Sequence, residues 1–87
     1  MNGQADNPDV RDTLGWVYYQ KQLSDLALRE FEQSIAKDPN NVIYHYHLGL
    51  TLARQGDLDR ARRSYRTALK LKPDYSAVEQ ALKTIGG

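Results

Sequence analysis

Residues 14–39, LGWVYYQKQLSDLALREFEQSIAKDP, and residues 48–73, LGLTLARQGDLDRARRSYRTALKLKP, are two copies of one pattern set 34 positions apart. Leu14-Gly15, Ala27, Phe31 and Pro39 return as Leu48-Gly49, Ala61, Tyr65 and Pro73. A repeat of this length is one supersecondary unit that cannot bury its own apolar face, so its neighbours must stack against it. Such scaffolds work by shape and contact, and the question becomes which surface they present.

Working outward, the sequence predicts five amphipathic helices. The first runs from about Asp9 to Lys21, with Asn7 as N-cap and Pro8 in the first helical position, where its missing N–H costs nothing. Its apolar stripe, Val10, Leu14, Val17 and Tyr18, has the spacing of one buried face. The third helix, about Asn41 to Arg54, carries that stripe again as Tyr44, Leu48, Thr51 and Leu52. The fifth, about Tyr75 to Ile85, restarts it with Val78, Leu82 and Ile85. Between them lie helices of a second kind. One spans about Asp25 to Lys37, N-capped by Ser24, and shows Ala27, Phe31, Ser34 and Ile35. The other spans about Leu58 to Leu71, N-capped by Asp57, and shows Ala61, Tyr65, Ala68 and Leu69. Glycine inside a helix costs about 0.5–1 kcal/mol relative to alanine. Gly15 and Gly49 are therefore expected where helices approach closely, facing Ala27 and Ala61. Pro39 and Pro73 end the second-kind helices. Gly56-Asp57 makes the second hairpin turn, and Gln22-Leu23 stand in the same place in the first.

At 87 residues there is room for one domain. Its apolar fraction of 40% and charged fraction of 26% are ordinary for a globular chain. A net charge of +1 supplies no global field for nucleic acid or membrane. The absence of cysteine removes disulfides, thiolate metal sites and cysteine nucleophiles together. No run approaches the roughly 18 consecutive apolar residues of a spanning helix, and no apolar signal core opens the chain, so the expectation is a soluble protein of open compartment.

The spaced residues resemble the tetratricopeptide repeat family: a Leu-Gly pair, a large residue three positions on, a small residue, an aromatic, another small residue and a terminal proline. Here these are Leu14, Gly15, Tyr18, Ala27, Phe31, Ser34 and Pro39, then Leu48, Gly49, Leu52, Ala61, Tyr65, Ala68 and Pro73. The resemblance divides the chain into repeats at 8–41 and 42–75. Residues 76–87 form a capping helix or the first helix of a third repeat, and 1–7 a flexible start. Arg11 and His45 stand where the family often has Trp, Ser34 replaces Ala, and Leu52 replaces Tyr. The resemblance implies an all-α fold, a right-handed superhelical stack of antiparallel helix hairpins. First-kind helices would line a concave groove that binds peptides or partner proteins, without catalysis or cofactor. Gly86-Gly87, stopping the last helix, suits the C-terminal end of a longer array.

The groove residues are those on first-kind helices turned away from the apolar stripe. In the first repeat they are Asp9, Asp12, Trp16, Tyr19 and Gln20; in the second, Ile43, Tyr46, His47, Leu50 and Arg54. Ala77, Gln80 and Thr84 continue the surface. An apolar and aromatic patch of Trp16, Tyr19, Ile43, Tyr46 and Leu50 has the character of an interaction site. Trp16 alternatively packs inward between the first and third helices, or against a further upstream repeat. One family mode clamps chaperone C-terminal carboxylates with Lys, Asn and Arg. The matching positions here are Asp12, Trp16, His47, Ala77 and Ala81, which cannot hold two carboxylates. Asp9 and Asp12 would favour a basic ligand residue, or simply be solvated carboxylates at a helix start.

Other chemistries find little support. His45 and His47, two apart, point roughly 200° from each other on a helix, so they do not form a metal pair. No phosphate loop or nucleophile elbow is present, and an enzyme is not expected. Residues 8–41 hold four basic and six acidic side chains, a net of −2; residues 42–75 hold seven and three, a net of +4. Arg62, Arg66 and Lys70 form a basic stripe on the fourth helix, a weak nucleic-acid signal set against Asp59–Arg63, Asp25–Arg29 and Glu79–Lys83 ion-pair spacings. The sequence thus reads as a protein-interaction module. The alternative is an element that self-assembles through exposed repeat faces, Val10, Val17 and Tyr18 above all.

Overall fold

The computed structural model describes residues 7–87. The expected flexibility of the first residues lies outside that range except at Asn7, which is the N-cap of the first helix. Five helices follow in order: α1 (Pro8–Gln20), α2 (Ser24–Lys37), α3 (Val42–Arg54), α4 (Leu58–Leu71) and α5 (Ser76–Thr84), with no strand among the described residues. Two N-terminal signals act as read: Asn7 accepts from the amides of Asp9 and Val10, and Asp57 from Arg60; Asn41, expected inside the third helix, is instead its N-cap and accepts from Ile43. Each satisfies a donor that the helix leaves open. Ser24 is a correction. It is the first residue of α2, Leu23 holds the cap position, and no side chain caps that end.

The helices form two antiparallel hairpins, α1 on α2 and α3 on α4, with α3 laid against α2 and α5 against α4. The hairpin turns solve one backbone problem in two ways. Gly56 has φ +84°, and Gln22, its counterpart in the first turn, takes the same left-handed region at φ +64°. A non-glycine residue pays for that conformation, so the first turn is the costlier.

Within each hairpin the glycine partner differs from expectation. A methyl group at Gly15 would lie 2.6 Å from Cε1 of Phe31, and one at Gly49 would overlap the Tyr65 ring. The atoms nearest each glycine belong to these rings, not to Ala27 and Ala61. Phe31, Tyr65, Ala27 and Ala61 are all fully or almost fully buried, together with Tyr44, Leu52, Ala68 and Val78. The residues that depart from the family pattern have their own partners. Arg11 pairs with Glu30 at 3.2 Å. His45 Nε2 lies 2.7 Å from the Pro39 carbonyl. The Ser34 hydroxyl donates to the Pro8 carbonyl at 2.8 Å, joining the two ends of the first hairpin.

The stripe on α1 is the second correction. Tyr44, Thr51 and Leu52 of α3 are buried, yet their counterparts Val10 and Val17 are 47% and 44% exposed, and Leu14 is exposed with them. On α3 that face is covered by α2; no described helix covers it on α1. The apolar pattern names the face that wants burial, and burial itself needs a neighbour.

Candidate functional site

The α1 and α3 helices stand side by side as one wall, tied at three heights by pairs 35 residues apart. At the N-terminal ends the Tyr44 hydroxyl donates to Asp9 Oδ1. In the middle, His47 Nδ1 lies 2.9 and 3.0 Å from the two Asp12 oxygens. At the C-terminal ends the Arg54 guanidinium donates to the Tyr19 carbonyl and lies 3.6 Å above the Tyr19 ring centre. This stacked cation is in the range where π attraction is worth about 0.5–1 kcal/mol. Burial, then the bond to Asp9, pushes the Tyr44 hydroxyl well above its ordinary value.

Between these ties runs a ladder of rings. Trp16 stacks on Tyr19 at 5.0 Å and on His47 at 4.4 Å. His47 leans on Tyr46 at 5.8 Å, and Tyr46 on Tyr75 at 5.6 Å. Phe31 lies beneath His47 at 5.3 Å and Tyr65 beneath Tyr46 at 6.5 Å. Burial first, then the Tyr75 and Tyr19 hydroxyls, raise Tyr46. Trp16 thus packs against rings of both α1 and α3 and keeps part of its surface in solvent.

The sequence-named residues separate into two groups. Trp16, Tyr19, Tyr46, His47 and Arg54 come together in the ladder, with Leu50 beside them in a hollow of about 470 Å³ that also touches Tyr19 and Arg54. Asp12 is buried against His47, and Asp9 is engaged by Tyr44, so neither is simply a solvated helix-start carboxylate. Ile43 is half-buried on the first turn of α3. Not placed here from the sequence are Tyr75, which precedes α5, and Ala53, Tyr65 and Ala81, which line the same hollow. Tyr65 was read only as packing, and Ala81 only as a failed clamp position. The 34-residue offset, which pairs His47 with Ala81, was the signal available.

On the convex side, Asp59 pairs with Arg62 at 2.8 Å, not with Arg63. Asp25 accepts from Gln55 of the next repeat at 2.7 Å. Arg62 also donates to the Ile85 carbonyl at 3.0 Å, capping α5. The expected basic stripe is thereby partly spent on structure. Among the described residues no group of three or more His, Cys, Asp or Glu side chains is placed to hold a metal ion, and no helix is long and apolar enough to cross a membrane.

Hairpins stacked this way, with a ring-lined face on the first helix of each pair, define an α-solenoid scaffold. The tetratricopeptide repeat model matches residues 13–76, and the chain belongs to that family, whose repeats are in general non-catalytic protein-interaction modules. It is 30% identical over 69 residues to the peroxisomal targeting signal receptor of Saccharomyces cerevisiae, covering 79% of this chain and 11% of that one. The Candida glabrata receptor of the same name is 29% identical over the same share of this chain and 12% of its own. The chain thus spans only about a tenth of these relatives. Among solved structures, an O-GlcNAc transferase mutant of Thermobaculum terrenum superposes with a TM-score of 0.91 and 31% identity, covering 93% of this chain and 16% of that one. MamA superposes at 0.89 with 20% identity over 92% of this chain and 47% of its own, a likeness of fold alone.

Proposed function

We propose that this chain is a protein-interaction module that lays a segment of a partner along the α1–α3–α5 face, anchored by Trp16, Tyr19, Ile43, Tyr46 and Leu50. The observation that carries this reading is the ring ladder, which continues from Tyr19 to Tyr75 across both repeats. Interior packing alone would draw such rings out of solvent, whereas these keep an edge exposed in a row. Trp and Tyr in that setting are the residues that dominate contact energetics. Curated relatives named as receptors for a targeting signal accord with a groove that takes a protein segment. Replacing Tyr46 and Trp16 by alanine, with helicity checked by circular dichroism, is expected to abolish capture of the partner from lysate. Unchanged capture refutes the groove.

A second reading rests on a separate observation. Val10, Leu14 and Val17 line an open, largely apolar hollow of about 410 Å³ on α1. If copies of the chain associate through it, sedimentation across a concentration series will show a dimer that Val17→Asp dissolves. A strict monomer at high concentration removes this reading.

A further inference from the structure

The two repeats act as each other's control at the junctions between hairpins. At the first junction, Trp16 stacks on both Tyr19 and His47, and His47 lies against the buried Phe31. Advancing each by 34 residues gives Leu50, Ala53 and Ala81 above the buried Tyr65. Three ring-bearing positions have become aliphatic ones, and the space they vacate is the hollow of about 470 Å³ bordered by Tyr19, Leu50, Arg54, Tyr65, Ala81 and Ile85.

One substitution runs the other way. Phe31 becomes Tyr65, which gains a hydroxyl that packing does not need, since phenylalanine fills the same position fully buried in the first repeat. Tyr65 is only 1% exposed, and its hydroxyl makes no hydrogen bond to any described residue. That oxygen is not sealed in, and the surface Tyr65 reaches is the hollow. A hydroxyl open to the hollow and without an internal partner can bond to a ligand group in place of water. Arg54 adds a positive charge to the wall: its guanidinium spends one donor on the Tyr19 carbonyl, and the fork carries five.

Resting on the groove reading above, we propose that this hollow is a socket for one aromatic side chain with a polar tip, followed by an acidic residue, within the bound segment. The ring takes the place that His47 fills from within at the first junction. Its polar tip meets the Tyr65 hydroxyl, its faces meet Leu50 and Ala81, and the neighbouring carboxylate meets Arg54. The carboxylate is that of an internal Asp or Glu, since the segment runs on from the socket along the ladder, whose Tyr19 end lines the hollow.

The probe is a blocked peptide with a central Tyr-Glu pair in an Ala/Gly/Ser background, titrated into isotope-labelled protein and followed by amide shifts. Saturable shifts are expected at Tyr65, Ala81 and Ile85. Binding is expected to weaken about tenfold when Glu is replaced by Lys, the scale of one charge-assisted contact. It is expected to vanish when Tyr is replaced by Ala. Ala81→His fills the socket with the protein's own ring and should abolish the shifts while circular dichroism stays unchanged. Tyr65→Phe, which must fold because Phe31 does, should weaken binding about fivefold, the loss of one hydrogen bond. Equal binding by the Tyr and Ala peptides, or by the Ala81→His protein, overturns the socket. So does tight binding only when the peptide's C-terminal carboxylate is left free. These outcomes leave the groove standing, since that falls only if the Trp16 and Tyr46 variants still capture the partner.

Discussion

Gly15→Ala separates packing from propensity by the sign of its effect. In an open helix position alanine gains about 1 kcal/mol over glycine. At Gly15 the new methyl would stand 2.6, 2.8 and 3.1 Å from Cε1, Cδ1 and Cζ of Phe31. Carbon atoms rest at about 3.5–4.0 Å, so the ring must retreat by roughly 1 Å. Phe31 is fully buried, with the His47 ring centre 5.3 Å from its own, so it has little room to move. Overpacking of this kind costs about 1–3 kcal/mol. A ring held this tightly puts the cost in the upper half of that range, about 2–3 kcal/mol, and with the propensity gain subtracted a loss of about 1–2 kcal/mol remains. For a chain this small, with a urea m-value of about 1 kcal/mol/M, the unfolding midpoint falls by roughly 1–2 M. The assay is urea unfolding followed by helical circular dichroism, with Gly15→Ala/Phe31→Leu as the compensating pair. A Gly15→Ala protein as stable as the parent, or more so, refutes the close-approach account of the Leu-Gly positions.

Three further outcomes follow from single contacts. Asp12→Ala strands the half-buried His47 imidazole and should cost about 1–3 kcal/mol, measured by the same urea midpoint. Ser34→Ala removes the hydroxyl bond to the Pro8 carbonyl and should cost about 0.5–1.5 kcal/mol, even though alanine is the family's usual residue there. At alkaline pH, burial holds the Tyr65 proton to about 12 against 10.0 for a free side chain, and Tyr44 is raised in the same sense. The unfolded chain therefore loses those protons first. Stability is intact below pH 10 and declines as pH climbs toward 12, by up to about 1.4 kcal/mol per unit for each group; Tyr65→Phe should flatten that decline.

The helices, their proline ends and most caps were legible because each is written within a few residues: Asn7 before Pro8, Asp57 before Leu58, the 3.6-residue stripes. What was not legible depends on neighbours far along the chain. The stripe of Val10, Leu14 and Val17 announces an apolar face, but no local signal tells whether a helix of the α2 kind lies over it. Gly15 promised close approach, and only the structure shows that the Phe31 ring is what approaches. Asp12 looked like an exposed carboxylate because its partner, His47, sits 35 positions away, one beyond the repeat offset. The hollow escaped because it arises from a difference between repeats, His47 against Ala81 and Phe31 against Tyr65, where the eye is drawn to what they share.

The central claim is that partners are taken on the ring-lined face of α1, α3 and α5. The most direct test is the footprint that a bound partner leaves on the amide spectrum of this chain. The ladder predicts perturbations centred on Trp16, Tyr46, Leu50 and Ala81. Perturbations confined to Arg29, Glu32, Arg63 and Arg66, on the outer helices, would contradict it.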